Sequence, residues 1–183
     1  ILGQPIGRQD QYAAAFGGIN SILFGLDGVS VNPLDISCKS DISDQFTLVF
    51  TGLSRSASEV LEEEPDNPED KLSRMRKIRS QADLAEQYLE ASDLYNLGLL
   101  IGEAWEAKRG ISSGVTGTEI DLLHQEIMSI GASGAKLLGA GGGGFFLVHG
   151  TPSFRTKLSG LRRANKLIPV GLDHKGSTII YEG

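Results

Sequence analysis

The clearest pattern in the chain is a helical repeat of apolar residues in its middle third. Apolar side chains recur every three or four positions between residues 69 and 91, and again between 93 and 109. That spacing places them on one face of a helix. Ser92-Asp93 lies between the two segments and is typical of a helix N-terminus. The pattern therefore predicts two successive amphipathic helices, 69–91 and 93–109.

Shorter apolar runs predict β-strands before and after these helices. Residues 46–50 combine β-branched and aromatic side chains, which are frequent in strands. Asp27-Gly28 separates two alternating segments, and this dipeptide favours the turn of a β-hairpin. We expect strands at 20–26, 29–32, 46–50, 145–148, 168–172 and 177–181.

Three further helices are predicted outside the central pair. An alanine-rich segment follows Asp10 and stops at two glycines, which predicts a short helix with Asp10 as its N-cap. Thr118 has the same capping chemistry and opens a helix that extends to about residue 130. A basic amphipathic segment at 152–165 predicts the third helix.

The order of the elements predicts the fold class. From residue 46 onward it reads strand, helices, strand, helix, strand, strand. This order favours an antiparallel sheet with helices packed on one face, an α+β fold. The first part of the chain does not obviously extend that sheet. We therefore expect two units, with residues 1–40 as the tail of a preceding domain and 41–183 as the α+β domain.

Composition and charge narrow the classes of function. The 183 residues are 40% apolar and 22% charged, which is typical of a globular protein. A formal net charge of −6 argues against nucleic acid as the main partner, because phosphate backbones bind basic surfaces. Cys38 is the single cysteine, so no intrachain disulfide can form and a reducing, cytoplasmic setting is expected. No apolar run in the sequence reaches the ~20 residues of a membrane span.

Candidate chemistry is concentrated in a glycine-rich stretch directly before the strand at 145–148. Glycine adopts positive φ readily and lets a backbone approach another molecule closely. Two interpretations stay open: a connection that packs tightly, or backbone N–H groups that bind an anion. Lys136 either adds a charge beside this loop or lies on the surface. The candidate phosphate-binding glycines are Gly139, Gly141, Gly142, Gly143 and Gly144.

Other polar residues give weaker signals. Asp10 is either a helix cap or a base that accepts a proton from a hydroxyl. Arg8 and Arg55 lie beside glycine- or serine-rich turns, and arginine is suited to holding a phosphate. Lys108 ends the helix at 93–109, where a cation is favourable in any case. The three histidines and Cys38 lack the spacing of a metal site.

Two of these stretches together resemble the GHMP superfamily of small-molecule kinases. The segment that carries the superfamily's catalytic aspartate resembles residues 7–18, GRQDQYAAAFGG. Its glycine-rich third motif resembles residues 136–145, KLLGAGGGGF. The D-glycero-D-manno-heptose 7-phosphate kinase branch is most similar to residues 50–57, FTGLSRSA, and 105–108, WEAK. Fucokinase-like and galactokinase-like members share both motifs.

The resemblance implies transfer of a phosphoryl group from ATP, with Mg²⁺, to a sugar hydroxyl. The implied acceptor is the anomeric hydroxyl of D-glycero-D-manno-heptose 7-phosphate. Asp10 would orient that hydroxyl and accept its proton, with Arg8, Gln11 and Arg55 among the substrate- or phosphate-binding residues. The glycine stretch would belong to a ferredoxin-like C-terminal kinase domain and close over the active site. Residues 1–40 would then be the end of an N-terminal kinase domain.

One motif of the superfamily is absent from the sequence. This is the loop that holds the ATP phosphates, Pro-x-x-x-Gly-Leu-Gly-Ser-Ser-Ala. We expect that loop and the Mg²⁺-binding residues upstream of Ile1, so that the chain is a C-terminal fragment without kinase activity of its own. The alternative is a non-catalytic sugar-phosphate-binding or dimerising module that keeps the fold, and a homodimer stays open.

Overall fold

Helices alternate with short antiparallel strands along the computed structural model, which describes residues 7–54 and 68–181. The helices are α1 (Gln9–Phe16), α2 (Lys39–Gln45), α3 (Pro68–Glu90), α4 (Leu94–Arg109), α5 (Thr118–Ser129) and α6 (Phe154–Leu158), with a 3₁₀ turn at Ser113–Val115. The strands are β1 (Asn20–Gly25), β2 (Gly28–Pro33), β3 (Phe46–Phe50), β4 (Gly134–Leu137), β5 (Phe145–His149) and β6 (Lys166–Pro169). Among these described helices, none is both long enough and apolar enough to cross a membrane.

Four strands form one antiparallel sheet in the order β4-β5-β3-β6. Along the chain β3 is followed by α3 to α5, then by the β4–β5 pair, α6 and β6. This strand–helix–strand–strand–helix–strand order is that of a ferredoxin-like fold. The predicted α+β class with an antiparallel sheet is confirmed.

The main core lies on one face of this sheet. Val49 and Leu137 both pair with Phe146 in the strand register, so the three side chains share that face. Trp105 of α4 packs edge-on against the Phe146 ring, with 5.6 Å between the ring centroids. Helices α5 and α6 cover the same face through Leu123, Ile127, Phe154 and Leu158. Burial of these large side chains is the main favourable contribution to folding.

A second, smaller cluster joins the segment around α2 to the start of α4. It contains Ile36, Cys38, Ile42, Phe46, Leu94 and Leu97. The sequence analysis missed α2, because Ile42 is the only buried residue of this short, polar helix. The start of α4 was predicted correctly: Asp93 is its N-cap and accepts a hydrogen bond from the backbone N–H of Asn96 at 3.1 Å.

The first elements of the chain lie at the edge of the structure. Strands β1 and β2 pair only with each other, in the hairpin that Asp27-Gly28 predicts. Helix α1 contains no buried residue. It is held in part by the C-terminal stretch, because Gly18 donates a backbone hydrogen bond to Asp173 and Ser177 donates one to Ala15.

The C-terminal elements differ from their predictions. Helix α6 is 5 residues long instead of spanning 152–165, and it stops at Ser159-Gly160, two residues of weak helix propensity. Strand β6 ends at Pro169, whose partner Thr47 lies near the start of β3. Residues 177–181 form no strand, because Ser177 bonds to α1 instead of to a sheet edge.

Two predicted helix caps are also wrong. Arg8 is the N-cap of α1, and Asp10 lies within the first turn. Gly117 is the N-cap of α5, and Thr118 is the first helical residue. The sequence analysis also missed β4, because its sequence, Gly-Ala-Lys-Leu, looks like the beginning of the glycine stretch.

Candidate active site

The candidate base Asp10 lies on the first turn of α1 with an exposed side chain. A carboxylate at this position is stabilised in its ionised form by the helix dipole. Within residues 7–54 and 68–181, Asp10 forms no ion pair. It is therefore free to accept a hydrogen bond from a hydroxyl.

Arg8 and Gln11, which lie close to Asp10 in the sequence, have different surroundings. The Arg8 guanidinium lies 5.5 Å from the centroid of the Phe24 ring, so it stacks on the β1–β2 hairpin. Gln11 is exposed on the same short helix. The predicted phosphate-binding residue Arg55 lies outside the described residues.

The glycine loop, residues 138–144, requires the conformational freedom of its glycines. Gly139, Gly141, Gly142 and Gly144 have φ angles of +69°, +125°, +71° and +95°. Residues other than glycine rarely adopt these φ angles. A Cβ on Gly141 would lie 2.7 Å from the Cα of Val115. Packing thus explains part of the glycine content.

The loop is also fixed by backbone hydrogen bonds on both sides. Gly142 donates to the carbonyl of Val115 at 3.0 Å, and Gly144 donates to the carbonyl of Leu53 at 2.9 Å. These two N–H groups are therefore not available to an anion. The remaining loop amides that donate no hydrogen bond within the described residues are those of Gly139, Ala140, Gly141 and Gly143.

An open cleft of about 420 Å³ lies beside the loop. Its walls are the loop itself, the ends of β3 and β5, and the segment at Leu53-Ser54. The rings of Phe50 and Phe145 lie 5.0 Å apart at its apolar side. The cleft is thus lined by two aromatic rings and by a loop that contains unpaired backbone N–H groups.

Two lysines lie where the glycine loop begins. The ammonium of Lys108, at the end of α4, donates hydrogen bonds to the carbonyl oxygens of Leu137, at 3.1 Å, and Gly139. Burial, followed by the positive charge of Lys136, lowers the pKa of Lys108 to about 8, and the carboxylate of Asp10 acts in the opposite direction. Burial also lowers the pKa of Lys136. The charge of Asp10 thus acts on the lysine whose ammonium anchors the glycine loop.

The sequence analysis missed this arrangement. It treated Lys108 as a helix-terminal charge and left Lys136 as either a loop charge or a surface residue. Lys136 is half-buried, so it is not an ordinary surface lysine. A sequence signal existed, because each lysine belongs to one of the motifs that resemble the kinases, WEAK and KLLGAGGGGF.

Two of the three histidines, His124 and His149, lie in the core. His124 is buried against the rings of Trp105 and Phe146, and His149 pairs with Gln45 through Nε2 at 3.1 Å. Burial lowers the pKa of both histidines. Over the part of the chain that the structure describes, no group of three or more His, Cys, Asp or Glu side chains could hold a metal ion.

Comparison with known proteins connects this site to one family. Residues 85–153 match the family model described as GHMP kinases C terminal. The chain contains a GHMP kinase C-terminal domain. The matched residues include α4, α5 and the whole glycine loop. The lysine-anchored loop is therefore part of this domain.

The similarity to individual proteins of known identity extends beyond the matched domain. The chain is 33% identical over 162 residues to the D-glycero-alpha-D-manno-heptose 7-phosphate kinase of Campylobacter jejuni, an alignment that covers 86% of this chain and 48% of that enzyme. The GHMP kinase domain and its flanking elements superpose on the crystal structure of a D-glycero-D-manno-heptose 1-phosphate kinase from Bacteriodes thetaiotaomicron with a TM-score of 0.70. That match has 25% identity and covers 96% of this chain and 50% of the other.

A third comparison concerns the fold alone. The crystal structure of L. major mevalonate kinase in complex with R-mevalonate matches with a TM-score of 0.61 and 21% identity, over 87% of this chain and 50% of that one. The chain spans about half the length of each of these three proteins.

Proposed function

We propose that this chain is the C-terminal part of an ATP-dependent sugar kinase. The observation that carries the proposal is the position of Asp10, whose charge acts on the lysine that anchors the glycine loop. The charge of an acceptor for a hydroxyl proton is thus coupled to a loop with unpaired amides, and phosphoryl transfer depends on bringing such groups together.

The proposed reaction uses the residues in the following roles. The carboxylate of Asp10 accepts the proton of the sugar hydroxyl while the hydroxyl oxygen forms a bond to the terminal phosphorus of ATP. The bond from that phosphorus to the bridging oxygen breaks, and ADP leaves with the electron pair. The unpaired amides of the glycine loop bind phosphate oxygens during this step. Mg²⁺ would supply charge neutralisation on the phosphates when bound, and the described residues contain no group of three or more His, Cys, Asp or Glu side chains to hold it.

The proposed acceptor is the anomeric hydroxyl of D-glycero-D-manno-heptose 7-phosphate. The heptose 7-phosphate kinase of Campylobacter jejuni supports this choice through its 33% identity. We further propose that residues 1–40 belong to an N-terminal kinase domain and 41–183 to the C-terminal domain. Arg8, Gln11 and Arg55 stay candidate substrate-binding residues, and we place the reaction in the cytoplasm.

The decisive experiment measures ADP release with ATP and D-glycero-D-manno-heptose 7-phosphate. We expect turnover from the full-length protein and none from residues 1–183 alone. Asp10→Asn should lower turnover at least ~100-fold, the lower range for loss of a general base. The matched control is Asp83→Asn, which removes an equally exposed carboxylate from α3. Near-normal turnover of Asp10→Asn would contradict the catalytic role.

The competing function is a non-catalytic sugar-phosphate-binding or dimerising module. Exposed apolar side chains on the β1–β2 hairpin favour it, since Leu23 and Leu26 are 56% and 106% exposed. Sedimentation velocity and calorimetry with the same sugar phosphate distinguish the two functions. Binding and self-association without any ADP release by the full-length protein would favour the module.

A further inference from the structure

Lys136 is a half-buried cation without a partner. It lies on β4, two residues before the first residue of the glycine loop. Within residues 7–54 and 68–181, its ammonium group donates no hydrogen bond and forms no ion pair. Removing a charge from water without pairing it is costly, so such a group calls for an anion.

Lys108 places a second positive charge beside the first. Its ammonium is held by two backbone carbonyls, of Leu137 and Gly139, so it is fixed in position instead of sampling many rotamers. The two carbonyls carry only partial charges, so the full positive charge of Lys108 is not neutralised. The carboxylate of Asp10 acts on this charge and favours it.

The immediate surroundings add hydrogen-bond donors. The backbone N–H groups of Gly139 and Ala140 donate no hydrogen bond within the described residues. Both amides follow Lys136 closely in the chain, at the point where Lys108 fixes the loop. The ammonium of Lys108, the side chain of Lys136 and these two amides belong to one short part of the structure, and this combination suits a compact dianion better than a single carboxylate.

We propose that Lys108 and Lys136 together bind a phosphate group at the start of the glycine loop. This ligand class rests on the proposed kinase function, which supplies phosphates both on the sugar and on the nucleotide. The site explains why a lysine is half-buried at position 136 without a partner. It also assigns the loop a phosphate contact that its hydrogen-bonded glycines, Gly142 and Gly144, cannot supply.

The first test measures the binding of inorganic phosphate to the protein by calorimetry at constant ionic strength. We expect saturable binding that Lys136→Met weakens at least ~10-fold, since a charge-assisted hydrogen bond contributes on this scale. Lys136→Arg should keep most of the affinity. The matched control is Lys77→Met, an exposed lysine of α3. Equal binding by the wild type and Lys136→Met would overturn the proposal.

A second readout separates binding from a structural effect of the substitution. A bound dianion raises the pKa of Lys108 from its value of about 8, so the protein takes up protons when sulfate binds near pH 8. Sulfate has no titratable proton at this pH. Calorimetry in two buffers of different ionisation enthalpy measures the uptake. Lys108→Met should lower it, and an unchanged uptake in this variant would contradict the proposal.

The source of the phosphate is distinguished by comparing two ligands in the full-length protein. If Lys136→Met weakens the binding of D-glycero-D-manno-heptose 7-phosphate but leaves ADP binding unchanged, the bound phosphate is that of the sugar. The reverse pattern identifies the nucleotide. Either pattern supports the site. If Lys136→Met weakens the binding of neither ligand, the proposal is overturned. Because these measurements need no turnover, a phosphate site without ADP release would refute only the kinase function.

Discussion

The protein holds the two halves of its candidate site in different ways. The glycine loop is hydrogen-bonded to Val115 and Leu53 and anchored by Lys108, all within one packed domain. Helix α1, which carries Asp10, buries none of its residues. The loop is thus preorganised by the core, whereas the position of the candidate base depends on peripheral contacts.

This difference determines what each of the two regions can contribute. A preorganised loop loses little entropy when a phosphate binds, so it can contribute to binding by itself. A carboxylate on an exposed helix contributes to catalysis only when its helix is held in place. We therefore expect substitutions in the loop to affect global stability strongly and substitutions in α1 to affect it weakly.

The largest expected effect on stability is that of Gly141→Ala. Its Cβ would overlap the Val115 backbone, which cannot move as a flexible side chain could, and φ is +125°. We expect a loss of about 3 kcal/mol in the free energy of unfolding. Gly139→Ala is the matched control, because its Cβ would enter open space and only the positive φ is strained. It should lose about 1 kcal/mol.

Urea unfolding of the two variants measures this difference. A similar small loss in the free energy of unfolding for both variants would show that the loop can move away from Val115 without an energetic cost. The loop would then be no better ordered than α1, and the contrast between the two regions would fail.

An intermediate effect is expected for Thr51→Val, which keeps the shape of the side chain but removes its hydroxyl. That hydroxyl lies 3.0 Å from the carbonyl oxygen of Gly144 and accepts a hydrogen bond from Leu53 N–H at 3.1 Å. Because Thr51 is buried, the lost partners should cost about 2 kcal/mol.

Thr51→Ser is the control that keeps the hydroxyl. It should lose less than about 1 kcal/mol, the cost of one buried methyl group. Thermal or urea unfolding compares the two variants. If Thr51→Ser lost more free energy of unfolding than Thr51→Val, the methyl group and not the hydroxyl would hold the end of the loop.

The two regions also differ in how far the sequence predicted them. Periodicity predicted α3 and α4, the alanine-rich segment before two glycines predicted α1, and the Asp27-Gly28 dipeptide predicted the hairpin, because these signals are local. The sequence did not show that Gly142 and Gly144 donate to Val115 and Leu53, since those contacts join distant segments.

The remaining errors have the same origin. Residues 177–181 have the composition of a strand, but Ser177 bonds to Ala15 and draws the stretch to α1. Lys108 and Lys136 are separated by α5 in the sequence and meet only in the folded chain. Motif resemblance found the glycine loop, whereas tertiary structure was needed to find the two cations beside it.

The smallest expected effect is that of Ala13→Gly in α1. Glycine costs about 1 kcal/mol in a helix interior, but a helix of 8 residues without a buried side chain can open locally before the core unfolds. The global free energy of unfolding should therefore change by less than about 0.3 kcal/mol. Ala107→Gly, at a buried position of α4, should lose about 2 kcal/mol, from helix propensity and a lost methyl contact.

Urea unfolding of both variants, together with amide hydrogen exchange of α1, shows whether α1 unfolds by itself or together with the core. Low protection of the α1 amides and an unchanged midpoint for Ala13→Gly would support the assignment of residues 1–40 to a separate unit. A loss for Ala13→Gly as large as that for Ala107→Gly would mean that α1 unfolds together with the core. Asp10 would then be held as firmly as the glycine loop, and the domain boundary near residue 40 would be wrong.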